Sequence, residues 1–136
     1  MKLLIDTNII LDAMMNREPW AQSAREVMLA VAEERAEGCI TASTLTDIYY
    51  ILNKHVRDST QTKQILRDLL AVVTLLDVTG VDCERALDLP MSDFEDALLA
   101  ACGKRHKVDC IVTRNVRHFD YSPVGAVTVE DALSCL

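Results

Sequence analysis

Leu3-Leu4-Ile5 is an uninterrupted apolar run that stops at Asp6-Thr7-Asn8. An apolar run without alternation suits a strand buried on both faces, and an abrupt polar end suits an immediate turn into a helix. A strand of that kind needs a layer above and a layer below, so the rest of the chain has to supply covering helices. Between residues 19 and 37, Ala24, Val27, Met28, Val31 and Ala32 recur at three- and four-residue spacing, and Gly38 is placed as a helix C-cap. Residues 39–42 are short enough for a second buried strand, after which Ser43 or Thr44 caps a helix carrying Leu45, Ile48, Tyr49, Ile51 and Leu52.

The alternation continues. The spacing predicts a helix over 60–71, a third strand over 72–78 and a short helix over 81–88. Ser92-Asp93-Phe94-Glu95 matches a capping box and opens an alanine- and leucine-rich helix that runs to about Lys107. Residues 109–113 and 126–129 read as the fourth and fifth strands, and 130–136 as a terminal helix. Strands alternating with helices imply an α/β fold, a three-layer α/β/α sandwich with a mostly parallel central sheet. With 136 residues, half of them hydrophobic, and no Pro- or Gly-rich linker among 4 Gly and 3 Pro, one domain over 1–136 is expected.

The first apolar run is too short for a signal-peptide core or a membrane span, so a cytoplasmic protein with no membrane association is expected. Five cysteines, an odd number with no C-x-x-C pair, read as reduced core thiols and not as a zinc site.

In a parallel α/β fold, the carboxyl ends of the strands and the amino ends of the helices after them share one edge, where ligands bind. Asp6 ends the first strand, Asp47 falls in the first turn after the second, Asp93 and Asp96 open a later helix, and Asn115 follows the fourth strand. All five belong on one rim. Asp93 and Asp96 are three residues apart and share a helix face, with Ala97, Ala100 and Ala101 leaving room around the second carboxylate. Clustered carboxylates raise one another's pKa unless a cation balances them, and a hard ion such as Mg²⁺ or Mn²⁺ suits two or three carboxylates plus water. Each residue also has a structural explanation. Asp6 and Asn8 suit an Asx turn or a helix cap, Asp47 the acidic half of a capping box begun at Thr44, and Asp93 the favourable end of a helix dipole. Asn115 suits an ordinary turn. The joint pattern is what points to a metal site.

The net charge of −7 argues against a nonspecific basic grip on nucleic acid, although a bound cation would reverse the local potential where a phosphate approaches. Two basic clusters, 104–107 and 114–118, suit either a solvated face or a phosphate contact. Trp20, Tyr49, Tyr50 and Phe119 read as core residues before base-stacking ones, and His55, His106 and His118 as surface residues without metal-ligand spacing.

The stretches LLIDTNIILD (3–12), ITASTLTDIYYIL (40–52), DFEDALLAACGKRHKVDCIVTRN (93–115) and HF (118–119) together resemble the PIN-domain family, in particular its VapC-like toxins. The resemblance spans most of the chain. It implies a metal-dependent endoribonuclease with Asp6, Asp47 and Asp96 as catalytic acids and metal ligands, Asp93 and Asn115 assisting, and Thr7, Asn8 and Thr113 orienting the ligands. It further implies RNA backbone contact through Arg114 or a nearby lysine, a small antitoxin partner and a homodimer. Two positions depart from the family pattern: Asp47 stands where relatives often carry Glu, and Asn115 where they often carry an acid. A silent PIN module that binds RNA or a protein partner is the alternative. A phospho-acceptor receiver domain also gathers acids at this edge, but its acidic pair is absent, because Thr7 follows Asp6.

Overall fold

The computed structural model describes residues 1–136. Five parallel strands, β1 (Lys2–Ile5), β2 (Glu37–Thr41), β3 (Thr74–Leu76), β4 (Cys110–Val112) and β5 (Ala126–Val127), form one sheet in the order β3-β2-β1-β4-β5. The all-parallel arrangement and the central position of the first strand are those the apolar run at Leu3 to Ile5 requires.

Seven helices cover the sheet: α1 (Thr7–Met14), α2 (Ala21–Ala32), α3 (Ala42–Val56), α4 (Ser59–Leu70), α5 (Gly80–Asp88), α6 (Phe94–Arg105) and α7 (Val129–Ser134). A 3₁₀ turn follows β4 at Val116–Phe119. Side chains alternate along each strand and so divide between two cores. Leu3, Ile5, Ile40 and Val112 point into the larger one, which α1 to α4 and α7 close with Ile9, Ile10, Val27, Ile48, Leu66 and Ala132. Leu4, Cys39, Leu76 and Ile111 point the other way, under Leu99, Ala100 and Phe119. The expected α/β/α sandwich is therefore observed, with α5 and α6 forming the second layer.

Helices that follow strands are capped by a polar residue at or shortly after the strand end. Asp6 caps α1 and Thr41 caps α3, each through its side chain. Thr79 and Asp82 form a capping box on α5, and Thr128 caps α7. Only α2 lacks a side-chain cap, since Trp20 occupies its N-cap position. Several local expectations shift accordingly. The cap of α3 is Thr41 and not Ser43 or Thr44, so Asp47 lies in the second turn and takes no part in a capping box. The cap of α6 is Asp93, whose carboxylate accepts from the Asp96 N–H at 3.0 Å, so the Ser92–Glu95 capping box is not formed. β3 is shorter than expected, because the N–H groups of Val72 and Val73 turn back to Leu69.

Gly38 is the clearest departure. α2 stops at Ala32, and the chain reverses through Glu34 at φ 59° before β2 begins. Gly38 then sits inside β2 and caps nothing. It is glycine because the strand passes close beneath α2: a Cβ there would stand 2.7 Å from both methyls of Val31. Gly38→Ala is expected to destabilise the fold by about 1–3 kcal/mol through forced repacking, read as a lower midpoint in urea denaturation at unchanged slope.

Candidate metal centre

The strand order places β1 and β4 side by side at the point where the chain's connections leave in opposite directions, and ligands gather at such a point. A cleft of about 630 Å³ opens there. Asp6, Asp47, Asp93, Asp96 and Asn115 all line it, as do Thr7 and Asn8. The rim read from the sequence is therefore one continuous surface in the structure.

Asp6 is the most firmly held. Its N–H donates to the Val112 carbonyl of the neighbouring strand at 3.0 Å. Its Oδ1 accepts from the Thr7 N–H and its Oδ2 from the Thr113 hydroxyl, both at 2.8 Å. Thr113 is fully buried, and its Oγ1 also accepts the Asn115 N–H at 3.1 Å. One hydroxyl thus fixes both the acid that ends β1 and the amide after β4. Thr7 reaches the Thr44 hydroxyl at 3.5 Å, and Thr44 in turn accepts from Thr41 at 3.1 Å, which ties the start of α1 to the start of α3. Thr7 and Thr113, both expected to orient the acids, hydrogen-bond Asp6, the first through its backbone N–H and the second through its hydroxyl. Asn8 lines the cleft without a hydrogen bond to any of the acids.

The electrostatics are those of unbalanced negative charge. Burial raises the Asp6 carboxyl above its ordinary value against the pull of its two hydrogen bonds, and burial alone raises Asp47. Asp96 is pushed up to about 6, first by burial and then by the charges of Asp93 and Asp6. Five carboxylates face the cleft and no lysine or arginine does. A divalent cation is the partner that hard oxygen donors in this arrangement fit. As the side chains stand, no three His, Cys, Asp or Glu groups converge on a single ion position. Ligation by three of these acids therefore requires rotation of at least one carboxylate.

Two cleft residues escaped the sequence reading. Glu95 was assigned to a cap, but it lines the cleft, and its carboxyl is raised chiefly by Asp47. His118, read as an unpartnered surface residue, is indeed 59% exposed, yet its Nδ1 lies 3.3 Å from Asp96 Oδ2. Its place in the motif HF after the fourth strand was the available signal. The apolar wall of the cleft comes from Ile51, Phe94, Leu98 and Leu99. Ala97, Ala100 and Ala101 do not open space around Asp96; all three are buried, Ala97 and Ala101 against Ala86 of α5.

Arg114 lies outside this cleft. Its Nε is 2.9 Å from Asp12 Oδ2, and its guanidinium stacks 3.9 Å over the Trp20 ring. Asp12 is fully buried, and Arg17 approaches it at 3.9 Å. In the other basic cluster, Arg105 is bound to Asp82 at 2.8 Å and the His106 ring lies 2.8 Å from the Asp77 carboxylate, so both side chains are already partnered. Of the cysteines expected in the core, Cys39, Cys102 and Cys110 are buried, but Cys135 is exposed. Trp20 and Tyr50 are likewise exposed, whereas Phe119 is buried as expected. No helix is long and apolar enough to cross a membrane.

The sequence matches the family model of the PIN domain over residues 2–117. This chain belongs to the PIN-domain family. That assignment removes the receiver-domain reading. No curated protein matches the chain. Among solved structures, the fold is similar to VapBC2 from Rickettsia felis bound to a promoter DNA fragment, with a TM-score of 0.71 at 17% identity over 94% of this chain and 98% of that one. A toxin–antitoxin complex from Klebsiella pneumoniae gives 0.69 at 21% identity, over 93% and 97%. VapC20 from Mycobacterium tuberculosis, described as a sarcin-ricin loop cleaving toxin, gives 0.62 at 15% identity, over 80% and 86%. At these identities the likeness is one of fold.

Two predictions follow from the geometry. Thr113→Val removes the hydroxyl that holds Asp6 and Asn115, and it should weaken Mn²⁺ binding by about 10- to 100-fold, measured by calorimetric titration. In EDTA, the folded chain between about pH 4 and pH 6 keeps a proton on Asp96 that the unfolded chain has released. Stability should therefore fall as pH rises through that window and level off above it. Asp96→Asn should flatten the fall in a series of thermal melts, and Mn²⁺ should offset it in the native chain.

Proposed function

We propose that this PIN domain is a Mg²⁺- or Mn²⁺-dependent endoribonuclease that hydrolyses RNA phosphodiester bonds and serves as the toxin of a toxin–antitoxin pair. The reading is supported above all by the cleft at the carboxyl edge of the sheet, where five carboxylates meet no lysine or arginine. An anionic substrate has no reason to enter such a cleft unless a cation reverses its potential first.

Asp6, Asp47 and Asp96 would hold the ion, with Asp93 and the neutral oxygen of Asn115 beside them. When bound, a divalent ion lowers the pKa of a coordinated water and offsets charge that develops on the phosphoryl oxygens. The chain's own residues supply the rest. Thr113 and the Thr7 N–H fix both oxygens of Asp6, so its orientation is set before substrate arrives. His118 stands at the cleft with its Nδ1 3.3 Å from Asp96 Oδ2, within reach of that carboxylate. Arg114 is separated from the cleft lining, so any phosphate it contacts is a neighbour of the scissile one. The fold neighbours include toxin–antitoxin complexes, which supports an antitoxin as a partner of this chain. A homodimer and a cytoplasmic location accord with the same reading.

One observation favours the alternative, a silent module that binds RNA or a protein: no three potential ligands converge on an ion position as they stand. Purified protein and a mixed-sequence RNA in Mg²⁺ or Mn²⁺ separate the two. Cleavage is expected, with loss of activity in EDTA and a fall of at least about 100-fold, worth roughly 2.7 kcal/mol, in Asp96→Asn. Intact RNA, or equal cutting in EDTA or without Asp96, sinks the nuclease and leaves the binding module.

A further inference from the structure

A second cleft, of about 250 Å³, shares no lining residue with the acidic one but includes Thr113, whose hydroxyl holds Asp6. Thr113 and Arg114 form part of its wall, and Trp20 forms another. We propose that this cleft is a nucleobase subsite, which takes one unpaired base of an RNA strand whose backbone runs from the acidic cleft past Arg114. The inference rests on the RNA-binding part of the function proposed above and adds the residue that recognises the base.

Three features carry it. Trp20 is 43% exposed although it is the largest aromatic side chain present, so its role is not to fill the core. Its ring is held in place from one side by the Arg114 guanidinium at 3.9 Å. That guanidinium is itself held, because Nη2 donates to the buried Asp12 Oδ1 at 3.3 Å and Nε lies 2.9 Å from Oδ2 as an ion pair. A planar aromatic surface is thereby pre-set at the cleft before any ligand arrives, which reduces the ordering cost of binding.

The chemistry of the lining fits a nucleotide. An indole face accepts any base by stacking. Ser23 and Glu130 also line the cleft and offer a hydroxyl and a carboxylate to base edges. The third guanidinium nitrogen of Arg114 is not engaged by Asp12 and remains free to donate to a phosphate. Arg114 is also the cation that acts on Asp6 across the strand end, so the subsite and the acidic cleft are neighbours on one path. The acidic cleft has no lysine or arginine to hold substrate, so further affinity has to come from outside it.

Trp20 is the single tryptophan of the chain, so its emission reports on this site alone. The full-length chain in EDTA is titrated with a mixed-sequence single-stranded oligoribonucleotide and with an abasic strand of equal length. Quenching by the first and not by the second is expected. Trp20→Ala should weaken RNA binding about tenfold or more, whereas Trp20→Phe, which keeps an aromatic face, should retain most of it. Emission unchanged at saturating RNA, equal quenching by the abasic strand, or Trp20→Ala binding as tightly as the native chain overturns the subsite. The last result is also what a protein-docking role for Trp20 would give. The two readings fail separately. RNA cleavage with a silent Trp20 removes the subsite and leaves the nuclease, and base-dependent quenching in a chain that cuts no RNA does the reverse.

Discussion

The burial of β1 on both faces is the constraint from which the rest of the structure follows. Leu3, Leu4 and Ile5 are wholly inaccessible and serve two separate cores. Full burial of such side chains is worth about 1.5–3 kcal/mol each, which fixes the strand's register between β2 and β4. Asp6 is the first residue beyond that run, so its position is set by packing on either side of it. The hydrogen bond from its N–H to Val112 and the hydroxyl of Thr113 extend the same strand pairing by one residue. An acid can be held here with a raised pKa because the strand behind it has no alternative place to go.

Charge is sorted around this edge in a consistent way. The chain carries 14 Lys and Arg against 21 Asp and Glu, and none of the basic side chains lines the acidic cleft. Those closest to the sheet are bound elsewhere. Asp12 holds Arg114 on one side, and Asp82 holds Arg105 on the other. Replacing a buried ion pair by apolar residues often costs nothing, so such pairs are poor evidence of stability alone. Their effect here is positional only for Arg114, whose side chain Asp12 holds outside the acidic cleft, since Arg105 sits at the opposite end of α6 from the cleft acids. The negative potential of the cleft is thereby preserved for a cation from solution.

The sheet, its parallel sense and the acidic rim were legible in the sequence because they depend on short-range patterns. An apolar run that ends in Asp, and helices that open with Thr or Asp, carry their meaning within a few residues. What failed depends on how separate elements pack against one another. Gly38 looks like a helix end until the approach of Val31 is known. The three alanines of α6 look like space for a ligand, but they are the contact surface for α5 and the sheet. Arg114 looks like a phosphate contact on the acidic rim because the strand and the turn place its backbone there. Its side chain is claimed by Asp12, more than a hundred residues away, which spacing does not reveal. Glu95 and His118 were missed for the opposite reason, since each had an adequate local explanation that did not exclude a place in the cleft.

The opening of α6 shows how one residue can serve both fold and site at different strengths. Asp93 caps the helix through Oδ1, and losing such a cap typically costs about 0.5–2 kcal/mol. A ligand role for that oxygen would compete with the cap, so Asp93 is better suited to contribute its charge or its second oxygen. The N–H it satisfies is that of Asp96, which anchors the backbone of the cleft acid whose carboxyl is raised furthest. Asp96 meets Asp93 and Asp6 as repelling charges and His118 as its one nearby balancing group. The helix dipole favours carboxylates at this end, but it does not neutralise them. A site assembled this way keeps its acids in position without satisfying their charge, and that unsatisfied charge is what distinguishes it from an ordinary capped helix.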